Sequence, residues 1–153
     1  MQPRLNFMTV SQDGVKPMYA MEAYLKSCGR VHGLLHLVKM RASQINGCAY
    51  CLDMHTKDAR AGGETEQRLY LLDAWREAPF YTDRERAALA WTEAITLVSE
   101  DHVPDKVFGQ VREHFSEKEL VDLTLAIVTI NGWNRLSIGF RAVPGEYQPP
   151  QRH

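Results

Sequence analysis

The feature that most constrains the fold of this chain is a long apolar segment in its last third. Residues 116–119 read Ser-Glu-Lys-Glu, a capping-box pattern that opens an α-helix. From Leu120 to Ile130 the side chains are apolar except for Asp122 and two threonines. A helix that is apolar on almost every side must lie at the centre of a bundle or against another subunit. The segment is too short and too interrupted by polar residues to span a bilayer.

This predicted helix carries two apolar stripes. The first consists of Leu120, Leu123, Ile127 and Ile130, and the second consists of Val121, Leu125 and Val128. A chain of 153 residues buries about two-thirds of its unfolded surface, and one small bundle does not readily cover both stripes. We therefore expect one stripe to contact a second copy of the chain in a homo-oligomer.

The rest of the chain shows helical periodicity and no alternating strand pattern. Helices are predicted from Met18, after Pro17, to about Ser27; from Val31 to Ile45; from the Asn46-Gly47 break to Gly62-Gly63; from Glu64 to Arg76; from the capping box 82–85 to about Val98; from Pro104 to about Phe115; and from residue 117 to Arg141. Residues 1–16 should form an N-terminal arm, and residues 144–153 a loose C-terminal tail. We predict one all-α domain over residues 1–153, a bundle of about seven helices.

Charge and hydropathy exclude several classes of protein. The chain has 18 Lys and Arg against 19 Asp and Glu, with no basic stripe, which argues against nucleic-acid binding. No apolar run has the length of a signal peptide core or a membrane span. We therefore expect a cytoplasmic protein that does not contact a membrane. Three cysteines in a reducing compartment fit a catalytic pair better than a disulfide scaffold.

Two of those cysteines lie in the motif that carries chemistry, residues 44–55. Cys48, Cys51 and His55 occupy relative positions 0, +3 and +7, so a helix capped by Asn46 or Gly47 places all three on one face. The unpaired amides and dipole of a helix N-terminus favour a thiolate there. His55, four residues after Cys51, is within reach to accept the thiol proton or, once protonated, to pair with the thiolate.

The motif alone allows three interpretations. A dithiol redox centre is favoured because the spacing, the helix start and the histidine all serve that chemistry. A zinc site lacks a recognisable fourth ligand, and the third possibility is that both cysteines are small packed hydrophobes. Cys28, with Met21, Tyr24 and Leu25 at helical spacing, is interpreted as a core thiol.

The chain resembles the AhpD-like alkylhydroperoxidases of the carboxymuconolactone decarboxylase superfamily. The resemblance rests on LVKMRASQINGCAYC at residues 37–51 with His55, and continues through GETEQRL (63–69), WRE (75–77), ERAALAWTE (85–93) and INGWNRL (130–136). It covers nearly the whole chain and implies an all-helical, AhpD-like fold. It also implies a trimeric or hexameric assembly and thiol-dependent reduction of hydroperoxides.

The resemblance also assigns roles within the cysteine pair. It implies that Cys51 attacks the peroxide as the peroxidatic thiol and that Cys48 resolves the product. The proximity of His55 to Cys51 supports this order, with His55 activating Cys51. The residues alone leave the order of the two thiols open, because the more N-terminal thiol feels the helix dipole at least as strongly. No bound cofactor or metal is implied; an external dithiol donor, either lipoyl-type or thioredoxin-like, must reduce the resulting disulfide.

Two positions depart from the family pattern. Where the family has a relay glutamate, twelve residues before the first cysteine, this chain has His36, either a substitute proton shuttle or a hydrogen-bonded helix residue. Tyr50 replaces a histidine and could donate a hydrogen bond in the site or pack. The cluster Asn131, Trp133, Asn134 and Arg135 could line a pocket, but such residues more often fix packing.

These departures keep other functions open. A thiol-disulfide oxidoreductase or redox sensor with weak peroxidase activity would use the same cysteine pair. An enzyme like the carboxymuconolactone decarboxylases would make the cysteines incidental to activity.

Overall fold

The structure, a computed structural model, describes residues 2–150, in which every regular element is a helix. The α-helices are α1 (Phe7–Val10), α2 (Gln12–Lys26), α3 (Leu35–Asn46), α4 (Ala49–Ala61), α5 (Glu66–Tyr70), α6 (Asp83–Thr96), α7 (Val98–Asp101), α8 (Asp105–Arg112) and α9 (Glu117–Phe140). Two 3-10 helices, Gly29–Leu34 and Leu72–Ala74, precede α3 and follow α5. The all-α prediction is confirmed, although residues 2–150 hold nine α-helices where about seven were expected.

Helices α3 and α9 form the centre of the bundle. Helix α3 packs against α4, α6 and α9, and α9 packs in turn against α2, α3 and α6. The first stripe of α9 lies in the core, where Leu123, Ile127 and Ile130 are fully buried. In the second stripe, Val121 and Val128 face outward and are 59% and 56% exposed, whereas Leu125 is half-buried against the core. Among the described residues, no helix is long and apolar enough to cross a membrane.

Both predicted capping boxes are present. Thr82 accepts the amide N–H of Glu85 at the start of α6, and the Glu85 carboxylate accepts the N–H of Thr82. Ser116 and Glu119 make the same reciprocal pair at the start of α9. Each box pairs two amides that a helix start otherwise leaves without partners, which is why these two starts were predicted correctly.

The expectation of an irregular arm over residues 1–16 is wrong for most of its length. Asn6 caps α1 by accepting the N–H of Met8, and Phe7 is buried with its ring 5.8 Å from that of Phe140. Helix α2 begins at Gln12, so Pro17 lies inside the helix and does not open it. A proline in an early turn costs few intrahelical bonds, and tertiary contact stabilises the rest. Met1 lies outside the described residues.

The predicted helix over residues 64–76 is interrupted, with α5 ending at Tyr70 and a 3-10 turn following. Beyond the break, the Arg86 guanidinium donates to the backbone carbonyls of Trp75, Arg76 and Ala78. Carbonyls that accept from Arg86 do not need to continue a helix. This tertiary contact is invisible in the local sequence.

Candidate active site at the start of helix α4

The turn between α3 and α4 positions the two cysteines. Gly47 closes α3 in the left-handed region, at φ 67°, where a residue without Cβ is favoured. Cys48 then has extended backbone angles and is itself the N-cap of α4, so the expected cap at Asn46 or Gly47 lies one or two residues too early. The Cys48 Sγ accepts the amide N–H of Cys51 at 3.4 Å, the role that a serine hydroxyl usually plays.

The two sulfur-bearing side chains are almost completely buried, each 1% exposed. They pack against Ala42 of α3 and Ile130 of α9. Cys28 is elsewhere in the molecule, half-buried, and its thiol donates to the carbonyl of Tyr24 at 3.4 Å. The structure therefore brings Cys48 and Cys51 together as a pair and leaves Cys28 apart.

The pKa values of Cys48 and Cys51 are shifted in opposite directions. The hydrogen bond from Cys51 lowers the pKa of Cys48 to about 7, against the opposing effect of burial, and the Cys51 amide, Asn134 and Ser137 add to the lowering. The same hydrogen bond, together with burial, raises the pKa of Cys51. The pair thus gives up one proton near neutral pH, and the remaining proton lies between the two sulfurs.

His55 follows Cys51 by one turn of α4 and is only 6% exposed. Burial lowers its pKa to about 3, and the nearby Lys39 and His36 contribute to the lowering. Its Nδ1 lies 3.8 Å from Oδ2 of Asp58. His55 is therefore a neutral imidazole at pH 7, which can pass a proton but cannot pair with a thiolate as a cation.

A cavity of about 490 Å³ opens onto one member of the cysteine pair. Cys51 and His55 belong to its lining, whereas Cys48 does not. The wall is mixed, with charged side chains at Glu22, Lys26, Lys39 and Asp58 and aromatic or apolar ones at Met8, Tyr19, Leu35, Tyr50, Met54, Ala61, Trp133, Tyr147, Pro149 and Pro150. A larger groove of about 860 Å³ between α6 and α8 has no cysteine in its lining. The chemistry of the side chains therefore identifies the smaller cavity as the candidate active site.

The two positions that depart from the family pattern both lie on this cavity. His36, on α3, is half-buried in its wall and close enough to His55 to affect that histidine's pKa. Tyr50, in the first turn of α4, also lines the cavity, and burial raises its pKa. Tyr50 is thus a neutral phenol at pH 7 that can donate a hydrogen bond.

Sequence reasoning missed a carboxylate that the fold brings to this cavity. Glu22 of α2 forms an ion pair with Lys39 of α3, which is only 7% exposed. The indole N–H of Trp133 donates to the other Glu22 oxygen at 3.2 Å, and all three residues line the cavity. No local pattern joins positions 22, 39 and 133. The one available signal was Lys39 itself, because a lysine on the apolar side of a buried helix needs a partner of opposite charge.

The rest of the Asn131–Arg135 cluster has a structural role behind the cysteines. Asn46 donates to the side-chain oxygens of Asn131 and Asn134 at 2.9 and 2.8 Å, and Asn134 donates to Ser43 at 3.0 Å. This buried network joins the end of α3 to α9 and leaves Asn134 in hydrogen-bonding contact with Cys48. Only Trp133 of the cluster reaches the cavity wall.

The C-terminal tail was predicted to be loose, and residues 145–150 are not. They have no helix, but they hydrogen-bond to α4, and Tyr147, Pro149 and Pro150 line the cavity. Residues 151–153 lie outside the described part of the chain. Within residues 2–150, no group of three or more His, Cys, Asp or Glu side chains is arranged to hold a metal ion.

Comparison with known proteins gives concordant matches. Residues 30–94 match the Carboxymuconolactone decarboxylase family. The chain is 49% identical over 138 residues to the uncharacterized protein YdfG of Bacillus subtilis, covering 90% of this chain and 94% of that protein. It is also similar to the crystal structure of ATU0492 from Agrobacterium tumefaciens, a protein of unknown function described as a candidate antioxidant defence protein AhpD. That match has a TM-score of 0.91 and 44% identity, and covers 95% of this chain and all of the other.

A more distant match shows the fold alone. The debrominase Bmp8 superposes with a TM-score of 0.81 at 19% identity, over 91% of this chain and 75% of that one. At this identity the likeness concerns the arrangement of helices and carries no inference about the reaction.

Proposed function

The chain belongs to the carboxymuconolactone decarboxylase family as an AhpD-like member, and from this we propose that it is a thiol-dependent peroxidase for alkyl or hydrogen peroxide. The observation that carries the proposal is the asymmetry of the cysteine pair. Cys51 faces a cavity, whereas Cys48 lies behind it, at hydrogen-bonding distance from the Cys51 amide. This arrangement supports Cys51 as the peroxidatic thiol and Cys48 as the resolving thiol.

The proposed cycle begins with the proton that the two sulfurs share. Its transfer to Cys48 leaves the thiolate on Cys51, whose sulfur attacks the terminal peroxide oxygen. An S–O bond forms, the O–O bond breaks, and the departing alkoxide takes the proton from Cys48 to become an alcohol. Cys51 is now a sulfenic acid and Cys48 a thiolate.

The second step closes the disulfide. The Cys48 thiolate attacks the Cys51 sulfur, an S–S bond forms, and hydroxide leaves to be protonated to water. The peroxide has been reduced by two electrons, and the two thiols have supplied them. Because both sulfurs are buried, a slender dithiol such as a lipoyl arm suits the cavity better than the folded surface of a thioredoxin-like donor. We place this cycle in the cytoplasm, where such donors are kept reduced.

Protons must reach and leave two sulfurs that are almost completely buried. His55 is neutral at pH 7 and lines the cavity beside Cys51, so we assign it proton exchange between the cysteine pair and the cavity, including delivery of the proton that converts the departing hydroxide to water. His36 connects to it as a second carrier, and Glu22, held by Lys39, supplies a carboxylate on the same wall. Tyr50 serves as a hydrogen-bond donor to the bound peroxide.

We also propose a homo-oligomer, trimeric or hexameric, formed through the outward stripe of α9. Val121 and Val128 are large, apolar and more than half exposed on a helix that otherwise forms the core. The solution mass of the purified protein, measured by light scattering, tests this directly. A stable monomer at micromolar concentration would contradict it.

The central test is thiol chemistry resolved by residue. The reduced protein receives one equivalent of hydroperoxide, and peptide mass spectrometry identifies a Cys48–Cys51 link. We expect Cys51→Ser to abolish peroxide consumption, and Cys48→Ser to consume one equivalent and stop at a Cys51 sulfenic acid trapped by dimedone. Cys28→Ser is the matched control and should turn over normally.

Other outcomes would point to the alternatives. Rapid disulfide exchange, with peroxide reacting no faster than with free cysteine, would favour a thiol-disulfide oxidoreductase. Full activity of Cys51→Ser on a lactone acid would favour a decarboxylase and contradict the proposal.

A further inference from the structure

A short C-terminal segment forms one wall of the Cys51 cavity. We call residues 145–150 the strap. The amide of Gly145 donates to Oδ2 of Asp53 at 3.0 Å, and Lys57 Nζ donates to the carbonyls of Gly145 and Tyr147 at 3.1 and 3.0 Å. The Tyr147 hydroxyl donates to Oδ1 of Asp58 at 2.7 Å. Every one of these anchors belongs to α4, the helix that carries the cysteine pair.

The strap is held by polar contacts and not by a hydrophobic core. None of its six residues is buried, and Tyr147 and Pro149, which line the cavity, are only half-buried. A segment anchored by a few hydrogen bonds opens at a small fraction of the cost of unfolding the bundle. Since Cys51 is 1% exposed, a molecule larger than the cavity needs such an opening to reach its sulfur.

We propose that the strap controls access to Cys51, admitting small reagents while closed and excluding bulky ones. Tyr147, Pro149 and Pro150 line the same cavity as Tyr19 and Trp133, whose rings are in contact. A cavity of about 490 Å³ is within the size range of sites for small organic molecules. This consequence rests on the proposed function: the strap selects organic hydroperoxides that are small enough to fit beneath it.

The position of Asp58 joins the strap to the catalytic histidine. One carboxylate oxygen accepts from Tyr147, and the other lies 3.8 Å from Nδ1 of His55. Opening of the strap removes the Tyr147 hydroxyl from Asp58 and leaves that carboxylate free to turn towards His55. Access to the cavity and the environment of His55 therefore change together.

The test measures the size-dependence of access to Cys51, without using peroxide. The reduced protein is alkylated with iodoacetamide and, separately, with a bulky N-substituted maleimide, and peptide mass spectrometry gives the rate at Cys51. The ratio of the maleimide rate to the iodoacetamide rate is the readout, because a changed thiolate fraction affects both rates alike and cancels.

Three variants weaken the strap in different ways. Lys57→Met removes two hydrogen bonds to its backbone, Tyr147→Phe removes the bond to Asp58, and Gly145→Ala strains a residue held at φ 113°. The first should raise the ratio about tenfold, equivalent to about 1.4 kcal/mol, and the other two by about threefold to tenfold. All three changes lie outside the core, so folding should be retained, which circular dichroism verifies.

Matched controls make the same chemical change away from the strap. Lys16→Met removes an exposed lysine of α2, and Tyr70→Phe removes the hydroxyl of an exposed tyrosine of α5. Both should leave the ratio unchanged. An unchanged ratio in all three strap variants would overturn the proposal.

The outcome is separable from that of the proposed function. The relative kcat/KM for cumene hydroperoxide and hydrogen peroxide is measured in the same variants, with cumene hydroperoxide expected to gain. A raised alkylation ratio in a protein that consumes no peroxide would support the strap and refute the peroxidase. Peroxide turnover with an unchanged alkylation ratio would support the peroxidase and refute the role of the strap.

Discussion

Helix α3 carries two cations two residues apart, the buried Lys39 and the half-buried Arg41, and they serve different parts of the molecule. Lys39 is paired with Glu22 of α2 at the wall of the Cys51 cavity. Arg41 points to another side of the helix and pairs with Glu93 of α6, donating from Nε at 2.8 Å. The two pairs resemble each other in burial and chemistry, yet only the first contacts the site.

The Arg41 pair is a structural junction. Glu93 also accepts the indole N–H of Trp75 at 2.8 Å and Nη2 of Arg76 at 2.6 Å. Burial alone would raise the pKa of Glu93, but the hydrogen bonds from Arg76, Trp75 and Arg41 outweigh it and hold the pKa below its ordinary value. One carboxylate thus fastens α3, α6 and the loop at Trp75 together.

The Lys39 pair has fewer partners and faces open space. Glu22 accepts only from Lys39 and Trp133 among its described contacts, and all three lie on the cavity. A buried ion pair is weak evidence for stability, because desolvation offsets much of the attraction. The comparison teaches that the surroundings of such a pair, and not its burial, decide whether it stabilises the fold or serves the reaction.

The largest loss of stability is expected when Glu93, the carboxylate of the Arg41 junction, loses its charge. Glu93→Gln keeps the shape but leaves Arg76 without its carboxylate and Arg41 with only the exposed Asp73, so we expect about 3 kcal/mol less stability in urea unfolding. Peroxide turnover per folded molecule should stay unchanged, because Glu93 does not line the cavity. Lost turnover at full stability would erase the distinction between the two pairs.

A second test uses pH, because Lys39, the cation on the cavity side, contributes to the lowered pKa of His55. That pKa is about 3 in the folded protein and about 6.5 when unfolded, so between these values only the unfolded chain binds the proton. This contribution to stability is therefore largest above pH 6.5 and is lost as pH falls. We expect this protonation of His55 to lower the free energy of unfolding by about 1.6 kcal/mol between pH 6.5 and pH 5.

The measurement compares urea unfolding of the native chain and His55→Gln across that pH range. Carboxylates that titrate on folding affect both proteins equally, so the difference isolates His55. A difference that does not change with pH would show that His55 is not held neutral.

Much of this molecule was predictable from local patterns. The capping boxes at Thr82 and Ser116 and the first stripe of α9 were found because their signals span only a few adjacent turns. The cysteine pair was found for the same reason, since Cys48 and Cys51 are three residues apart. Even there the cap was misplaced, because a cysteine sulfur rarely caps a helix.

The parts that were missed depend on tertiary contacts. Glu22 and Trp133 are 111 positions apart, and the strap meets α4 across about ninety. Residues 145–150 contain glycine and two prolines, which predict a loop correctly but give no information on what the loop packs against. Tethering of Tyr147 by Asp58 follows from the fold and not from any pattern in the tail.

A smaller effect on stability is expected on the cavity side. Glu22→Gln removes one charge beside a cavity that water can enter, so we expect only about 1 kcal/mol less stability. If Glu22 takes part in proton transfer as proposed, kcat should fall about tenfold or more, the lower part of the range for acid-base groups. Glu22→Gln and Glu93→Gln make the same chemical change: the first should mainly lower kcat, and the second should mainly lower stability. Equal losses of stability in both variants would contradict the comparison.

The smallest loss of stability is expected when Arg41 loses its exposed partner, Asp73. Arg41 also forms an ion pair with Asp73, whose side chain is 75% exposed while that of Arg41 is 13% exposed. An exposed carboxylate keeps most of its hydration and is screened by salt, so Asp73→Asn should change the free energy of unfolding by less than about 0.5 kcal/mol. Arg41 retains Glu93 in this variant, so its charge stays compensated inside the bundle. Urea unfolding at low and high salt measures the change. A loss of stability approaching that of Glu93→Gln would mean that Arg41 depends on Asp73. The burial of the partner carboxylate would then not set the strength of the ion pair.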